Sequence, residues 1–238
     1  CEALPAVMNS VSQIVLDHRA GVHDIPEGWQ NYVLAANEMG QKAATYDMPS
    51  HLRSRLIEIH LEVDLDEWKD WAFQNNIRGE VIAFLNFRPT MLLNYDYVKF
   101  TKKASPRSWS IASDCLKVFG LSSEIIPETL SGSLGEGIAA EFQGFLDVYG
   151  QLPDIDRILA GEDIVPDEPS LLYAVCGAVV AEYQKRPKVH ATRMLTYSNA
   201  LPAEFAILLV KDAYRANQHV KVAKGFAEWA TKYSNVML

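Results

Sequence analysis

The chain has 238 residues, of which 49% are apolar and 22% are charged, the composition of a globular protein with a full core. Its formal net charge of -8 argues against a general nucleic-acid binder, because a negative surface repels the phosphate backbone. No apolar run approaches the roughly 18 residues of a membrane span. The widely spaced Cys1, Cys115 and Cys176 predict neither a disulfide framework nor a zinc site, and they fit a reducing, cytoplasmic setting.

The N-terminal part of the chain predicts helices alternating with strands. Apolar residues at helical spacing predict a first helix that ends near Gly21, and a loop or hairpin follows. Residues 32–36 form a short apolar run, typical of a strand buried on both faces. The sequence PSHLRSRL predicts a short helix, and in residues 57–63 apolar and polar side chains alternate as in a half-buried strand.

From residue 64 onward the strand signals give way to helical ones. Asp64 and Glu67 form the pattern of a helix cap, and one helix is expected from Pro106 to Gly120. Another helix is expected after Pro202. Two further helices are indicated by apolar stripes, at residues 138, 142, 145 and 149 and at residues 172, 175, 176, 179 and 183.

The expected fold class is therefore mostly α. Residues 1–63 predict two strands of an α/β layer, and residues 64–238 predict an all-helical part. Because two parallel strands alone do not make a stable sheet, we expect further strands to come from elsewhere.

Three positions are candidates for chemistry. Asn37 ends the first predicted strand, where ligands of open α/β sheets bind, and an Asn there can orient a water; the alternative is a turn-forming Asn. Arg55 ends the short helix and could stabilise a phosphate charge, although an isolated arginine is more often a solvated surface residue. Arg107 stands at a helix start, where a cation opposes the helix dipole, which suggests an outside anion.

Other chemical motifs are weaker. The chain contains no G-x-x-x-x-G-K-S/T loop, which would hold phosphates with backbone N–H groups and a lysine. Glu58, His60 and Glu62 share one face of the predicted second strand and could belong to a metal-dependent hydrolase. A solvated polar face is the favoured interpretation, because no second group of ligands is spaced to close a metal site.

With Asn37, Arg55 and Arg107 in that order, the sequence resembles the MoxR-like branch of the AAA+ ATPases, and most closely its bacterial and phage ATP-binding proteins. NYVLAANE resembles the sensor-1 strand and places sensor 1 at Asn37. MPSHLRSRLIEIHLEVDLDEW resembles the helix and last strand of the core, with the arginine finger at Arg55 and Arg53 as the second choice. SPRSW resembles the start of sensor 2 in the lid, at Arg107.

The resemblance implies the C-terminal remnant of a P-loop NTPase core in residues 1–63, followed by a helical lid and tail in residues 64–238. The P-loop and the Walker B acids are missing from the sequence, so this chain is expected to begin beyond Walker B and not to hydrolyse ATP alone. ATP and Mg²⁺ would bind the intact protein, a homo-oligomeric ring that remodels a client protein. The alternative is a non-catalytic helical interaction module that needs no nucleotide.

Overall fold

The computed structural model describes residues 5–29, 32–35, 48–94 and 104–234. These residues are mostly helical, with twelve α-helices, and their one sheet is a hairpin of two short antiparallel strands. They divide into two units, one up to Glu62 and one from Val63 onward. The mostly α fold is confirmed, whereas the assignment of the two parts to an ATPase core and a lid stays a prediction.

The elements are numbered in chain order. The first unit contains α1 (Pro5–Asp17), β1 (Arg19–Ala20), β2 (His23–Asp24) and α2 (Ser50–Arg53). The second unit contains α3 (Leu65–Gln74), α4 (Gly79–Phe87), α5 (Pro106–Phe119), α6 (Ile126–Leu134), α7 (Glu136–Tyr149), α8 (Ile155–Ala160), α9 (Pro169–Lys185), α10 (Pro187–Ser198), α11 (Ala203–Ala216) and α12 (Phe226–Lys232), with 3₁₀ helices at Pro89–Met91 and Gln218–Val222. None of the helices in the described residues is both long and apolar enough to cross a membrane.

A hairpin, one of the two alternatives that the sequence left open, is present directly after α1. The helix ends at Asp17 because His18 takes a left-handed φ of 52°, and Gly21, with a φ of 64°, lies in the tight turn between the strands. Positive φ angles are what such two-residue turns require. The sequence analysis expected Gly21 to end the helix. The helix ends earlier, at Asp17, and Gly21 lies in the hairpin turn.

The two strands predicted in the first part of the chain are wrong wherever the structure describes them. Residues 32–35 and 57–63 have no regular secondary structure, and Val33, Ile57 and Leu61 are 94%, 90% and 93% exposed. An extended segment becomes a strand only when a neighbouring backbone takes its N–H and C=O groups. No described backbone forms a strand pair with either segment, and the alternating side chains of residues 57–63 are exposed to solvent.

Among the described residues of the first unit, α1 contacts α2. Met8 of α1 and Leu52 of α2 are buried, and Ser12 Oγ lies 3.0 Å from His51 Nε2. This polar contact joins residues far apart in sequence, so the short α2 is anchored although it has only one turn.

The second unit is organised around the close approach of α4 and α9. A Cβ atom on Gly177 would lie only 2.6 Å from Ala83 Cβ, and one on Gly79 would lie 3.2 Å from Ala181 Cβ. Small residues therefore let the two backbones pack closely. The predicted apolar stripe of α9 is confirmed, since its five residues are all buried: Leu172, Val175, Cys176, Val179 and Tyr183.

An aromatic cluster joins α4 to α5 and α7. The ring of Phe84 lies 5.4 Å from Trp109 and 5.0 Å from Phe142 by centroid distance, and Trp109 Nε1 donates to the Met91 carbonyl at 2.8 Å. Rings at these distances in tilted geometry add to the free energy of burial. The indole hydrogen bond also fixes the first turn of α5, which carries Arg107.

Helix boundaries agree with the sequence where caps were predicted. Asp64 Oδ1 accepts a hydrogen bond from the Glu67 N–H at 2.8 Å, which caps α3. Helix α5 begins at Pro106 and ends before Gly120, as expected. Helices α6 and α10 are found in addition to the predicted elements.

Replacing Gly177 by alanine should destabilise the protein, because the new methyl group collides with Ala83 across the α4–α9 contact. We expect the free energy of unfolding, measured by urea denaturation, to fall by about 1–3 kcal/mol. The matched control is Gly132→Ala in α6, where a Cβ meets no atom within 4 Å. That change should raise stability by about 0.5–1 kcal/mol. Equal effects of the two variants would contradict the close packing.

Candidate functional site

Arg55 lies in the exposed turn that follows α2. The helix ends at Arg53, two residues earlier than the sequence analysis expected. The Arg55 guanidinium donates to the His51 carbonyl through Nη1, and the same nitrogen lies 3.4 Å from Ser54 Oγ. The side chain thus folds back on the end of α2, where the His51 carbonyl also accepts a hydrogen bond from Ser54 Oγ at 3.2 Å. No carboxylate pairs with it among the described residues.

Arg53, the second choice for the finger, is in a different environment. Its Nε lies 3.9 Å from Glu58 Oε2, and both side chains are exposed. Exposed pairs of this kind contribute little to stability. The Glu58 carboxylate still offsets the charge of Arg53, whereas Arg55 has no carboxylate nearby among the described residues.

Arg107 projects from the first turn of α5 in the second unit. Ser105 Oγ accepts from the Ser108 N–H at 3.2 Å, and Ser108 Oγ accepts from the Ser105 N–H at 2.8 Å, which closes a reciprocal cap. Arg107 itself is exposed and makes no hydrogen bond or ion pair with any described residue. Arg107 therefore lies at the positive end of the helix dipole, where a cation is unfavourable and a bound anion would be favourable.

Most arginines in this protein have a carboxylate partner. The sequence contains ten, and seven of them pair with Asp or Glu in the described residues. Arg55, Arg107 and Arg186 do not. Two of these three are the positions that the order of motifs had indicated, and they belong to different units. Asn37, the third predicted site residue, lies outside the described residues.

The most elaborate polar arrangement in the described residues was not predicted from the sequence. Lys69 on α3, Asn86 on α4 and Asp212 on α11 meet in the interior, with Lys69 and Asp212 each only 3% exposed. Lys69 Nζ donates to Asn86 Oδ1 at 3.0 Å and to Asp212 Oδ1 at 2.9 Å, and Asn86 Nδ2 donates to Asp212 Oδ2 at 2.7 Å. We call these three residues the buried clamp.

The buried clamp continues to the surface through Arg215. This side chain lies 3.3 Å from Asp212 Oδ1, 3.1 Å from Asp66 Oδ1 and 3.0 Å from Asp70 Oδ1. Partial burial alone would raise the pKa of Asp66, but the charges of Lys69 and Arg215 outweigh it and lower that pKa below 3.8. Asp66 therefore stays ionised and completes a network of alternating charges.

The geometry of the buried clamp indicates a structural role. An ammonium has three N–H donors, and those of Lys69 are taken by Asp66 at 3.2 Å, Asn86 and Asp212. Both oxygens of Asp212 accept hydrogen bonds as well. The three donors of Lys69 and both oxygens of Asp212 are engaged within the protein, so the clamp joins three helices.

The face formed by Glu58, His60 and Glu62 does not gather into a metal site. Glu58 and His60 are exposed, with His60 Nε2 3.9 Å from Glu58 Oε1. Across the parts of the chain that the structure describes, no group of three or more His, Cys, Asp or Glu side chains is placed to hold a metal ion.

These features define a largely helical protein with a buried ionic clamp and with two exposed guanidinium groups, at predicted positions, that have no carboxylate partner among the described residues. Comparison with protein-family models, with curated proteins and with solved structures finds no match to this chain. The function is therefore argued from the residues themselves.

Replacing Lys69 by methionine should destabilise the protein, because Asp212 stays buried and keeps only its longer contact with Arg215, at 3.3 Å. Loss of one member of a buried ion pair costs about 3–5 kcal/mol, which urea denaturation would detect. The control is Lys117→Met, which removes an exposed pair with Asp114 at 2.9 Å and should cost no more than about 1 kcal/mol. Similar losses for the two variants would show that the clamp is solvated.

His190 should make stability depend on pH. It is 7% exposed, and its Nε2 has no hydrogen-bond partner in the described residues. Burial and the charge of Arg186 lower the pKa of this imidazole below 6.5. The unfolded chain then binds the proton more readily than the folded chain. Stability should fall as the pH drops through the unfolded-state value of 6.5, and level off below the folded-state pKa.

The measurement is the urea midpoint at about pH 7.5 and at about pH 5.5. His190→Gln should reduce the difference between the two midpoints, whereas His23→Gln, at an exposed hairpin position, should not. An unchanged difference in His190→Gln would contradict the assignment.

Proposed function

We propose that this chain is part of a MoxR-like AAA+ ATPase, and that it carries the elements that sense the phosphate and pass its state to the lid and to the next subunit. Residues 1–63 belong in this proposal to the C-terminal part of the α/β core, and residues 64–238 to the lid and a helical extension. The 238 residues contain no phosphate-binding loop, so the nucleotide cradle and the Mg²⁺ ligands are supplied by polypeptide outside them.

The observation that carries the proposal is which arginines lack a carboxylate partner. Motif order selects Arg55 and Arg107, and these are two of only three arginines that lack a carboxylate partner among the described residues. A guanidinium that stabilises a phosphate charge must be able to contact the phosphate, and Arg55 and Arg107 have no competing carboxylate among the described residues. The pairing of Arg53 with Glu58 favours Arg55 as the finger.

Each residue has a distinct role in this mechanism. Asn37 orients the attacking water. Arg107 contacts the γ-phosphate from the lid of its own subunit, and Arg55 reaches across a ring interface into the site of the neighbouring subunit. ATP and Mg²⁺ supply the transferable phosphoryl group and its counter-charge when they are bound. Hydrolysis then moves the lid against the core, and this motion remodels a client protein.

The exposed, irregular segment of residues 57–63 is consistent with this proposal. Its apolar side chains alternate along an extended backbone and are exposed in this chain. In the proposal the segment is the last strand of the core and pairs with strands that these 238 residues do not contain. Its irregular state here then reflects missing neighbours.

A non-catalytic helical interaction module is the second candidate. The exposed apolar side chains of Ile57, Ile59 and Leu61 favour it, since contiguous exposed apolar surface is a mark of protein interfaces. This candidate requires no nucleotide. Client binding that is indifferent to ATP in the assembled protein would support it.

The test is steady-state ATP hydrolysis by the assembled protein that contains this chain. Arg55→Ala should leave ATP binding near normal and lower turnover by up to roughly 10³–10⁵-fold, the contribution of an arginine finger. Arg186→Ala is the matched control, because Arg186 is also exposed and has no described carboxylate partner. It should leave turnover unchanged.

A mixing experiment examines the action between subunits. Arg55→Ala subunits combined with subunits whose phosphate-binding loop is disabled should regain part of the activity, because an intact finger then meets an intact site. An unchanged rate in Arg55→Ala would contradict the assignment of Arg55 as the arginine finger. A lack of recovery on mixing would indicate that Arg55 acts on the site of its own subunit.

A further inference from the structure

The first turn of α5, which carries Arg107, is attached to the residues that follow α4. Trp109 is fully buried, and its Nε1 donates to the Met91 carbonyl at 2.8 Å, in the 3₁₀ turn after α4. The Asn94 N–H donates to the Ala104 carbonyl at 3.0 Å, which joins the chain beyond that turn to the residues just before α5. The start of α5 is therefore held by one indole hydrogen bond and by a backbone hydrogen bond beside it.

The other end of α5 is attached to the start of α4. Arg78, which directly precedes α4, donates from Nη1 to the Leu116 carbonyl at 3.3 Å, and its N–H donates to Ser113 Oγ at 3.0 Å. Its guanidinium also pairs with Glu80, with Nε 3.0 Å from Oε2. A cation near a helix C-terminus is favoured by the helix dipole. Helix α5 thus has two attachments to α4 and its flanking residues, one near each end.

The two attachments differ in how strongly they control the place of Arg107. At about 1.5 Å per residue, Arg107 lies about 3 Å along the helix axis from Trp109 and about 13 Å from Leu116. When the attachment at Trp109 is lost, a tilt of about 5° around Leu116 moves the Arg107 backbone by about 1 Å. The same tilt around Trp109, after loss of the Arg78 contacts, moves it by about 0.3 Å. A misplacement of about 1 Å can lower an enzymatic rate by about 10²-fold, so the attachment at Trp109 has the larger effect.

We propose that Trp109 is a positioning residue for Arg107, and that its hydrogen bond to the Met91 carbonyl sets where the guanidinium meets a phosphate. Arg107 is exposed and makes no hydrogen bond or ion pair with any described residue, so its place depends on the backbone turn that carries it. Trp109 is enclosed by the rings of Phe84 and Phe142, with centroids 5.4 and 5.2 Å away, and acts only through that turn. The inference rests on the proposed function, in which Arg107 contacts the γ-phosphate.

The test is steady-state ATP hydrolysis by the assembled protein that contains this chain. Trp109→Phe keeps an aromatic ring but loses the N–H donor, and it should lower turnover by roughly 10- to 100-fold. Trp229→Phe is the matched control, because Trp229 is 3% exposed and its Nε1 has no hydrogen-bond partner in the described residues. It should leave turnover unchanged. An equal fall in both variants would indicate general destabilisation and overturn the inference.

A milder pair of variants acts on the same turn and on a distant one. Ser108→Ala removes the hydroxyl that accepts the Ser105 N–H at 2.8 Å, and it should lower turnover in the same direction as Trp109→Phe. Ser133→Ala is its control, since Ser133 is also buried and its Oγ donates to the Leu130 carbonyl at 3.1 Å, within α6. It should leave turnover unchanged, and equal turnover in the two serine variants would contradict the inference.

Two further measurements separate positioning from packing. Arg78→Met, at the far end of α5, should lower turnover much less than Trp109→Phe does. In protein that already carries Arg107→Ala, Trp109→Phe should cause no further loss, because the group that it positions is gone. A full additional loss in the double variant would overturn the inference and leave the proposed function standing. Unchanged turnover in Arg107→Ala alone would overturn the proposed role of Arg107, and the inference with it.

Discussion

The close contact between α4 and α9 is the constraint on which the second unit depends. Because Gly177 lacks a side chain, the backbone of α9 approaches Ala83 of α4 more closely than any larger residue would permit. This approach places Phe84 where it meets the rings of α5 and α7, and it places Asn86 where it meets Lys69 and Asp212. The aromatic cluster and the buried clamp thus each include a residue of the helix that this contact positions.

Helical periodicity predicted those helices of the second unit that bury an apolar stripe, such as α7 and α9. The stripe of α9 and the bounds of α5 could be read from spacing and caps alone. The buried clamp could not, since its members come from three helices and a single lysine on a helix carries no sign of its partners. Only the run Trp68, Lys69, Ala72 and Phe73, which puts a lysine on the apolar face of α3, hinted at it.

The strand predictions failed for a different physical reason. Alternation in residues 57–63 specifies which side chains share a face, but a strand also needs a second backbone, and periodicity does not report whether one is present. The candidate site shows the same limit. Arg55 and Arg107 were selected by resemblance in motif order, and the pairing of the other arginines could be learned only from coordinates.

The buried clamp also sets an order of events during synthesis. Lys69 and Asp212 are separated by 143 residues, so α3 leaves the ribosome long before its carboxylate partner exists. At roughly 5–20 residues per second, the delay is roughly 7–30 s. Through that interval Lys69 can meet Asp66 and Asn86 but not Asp212. The buried clamp is therefore complete only after α11 has been synthesised.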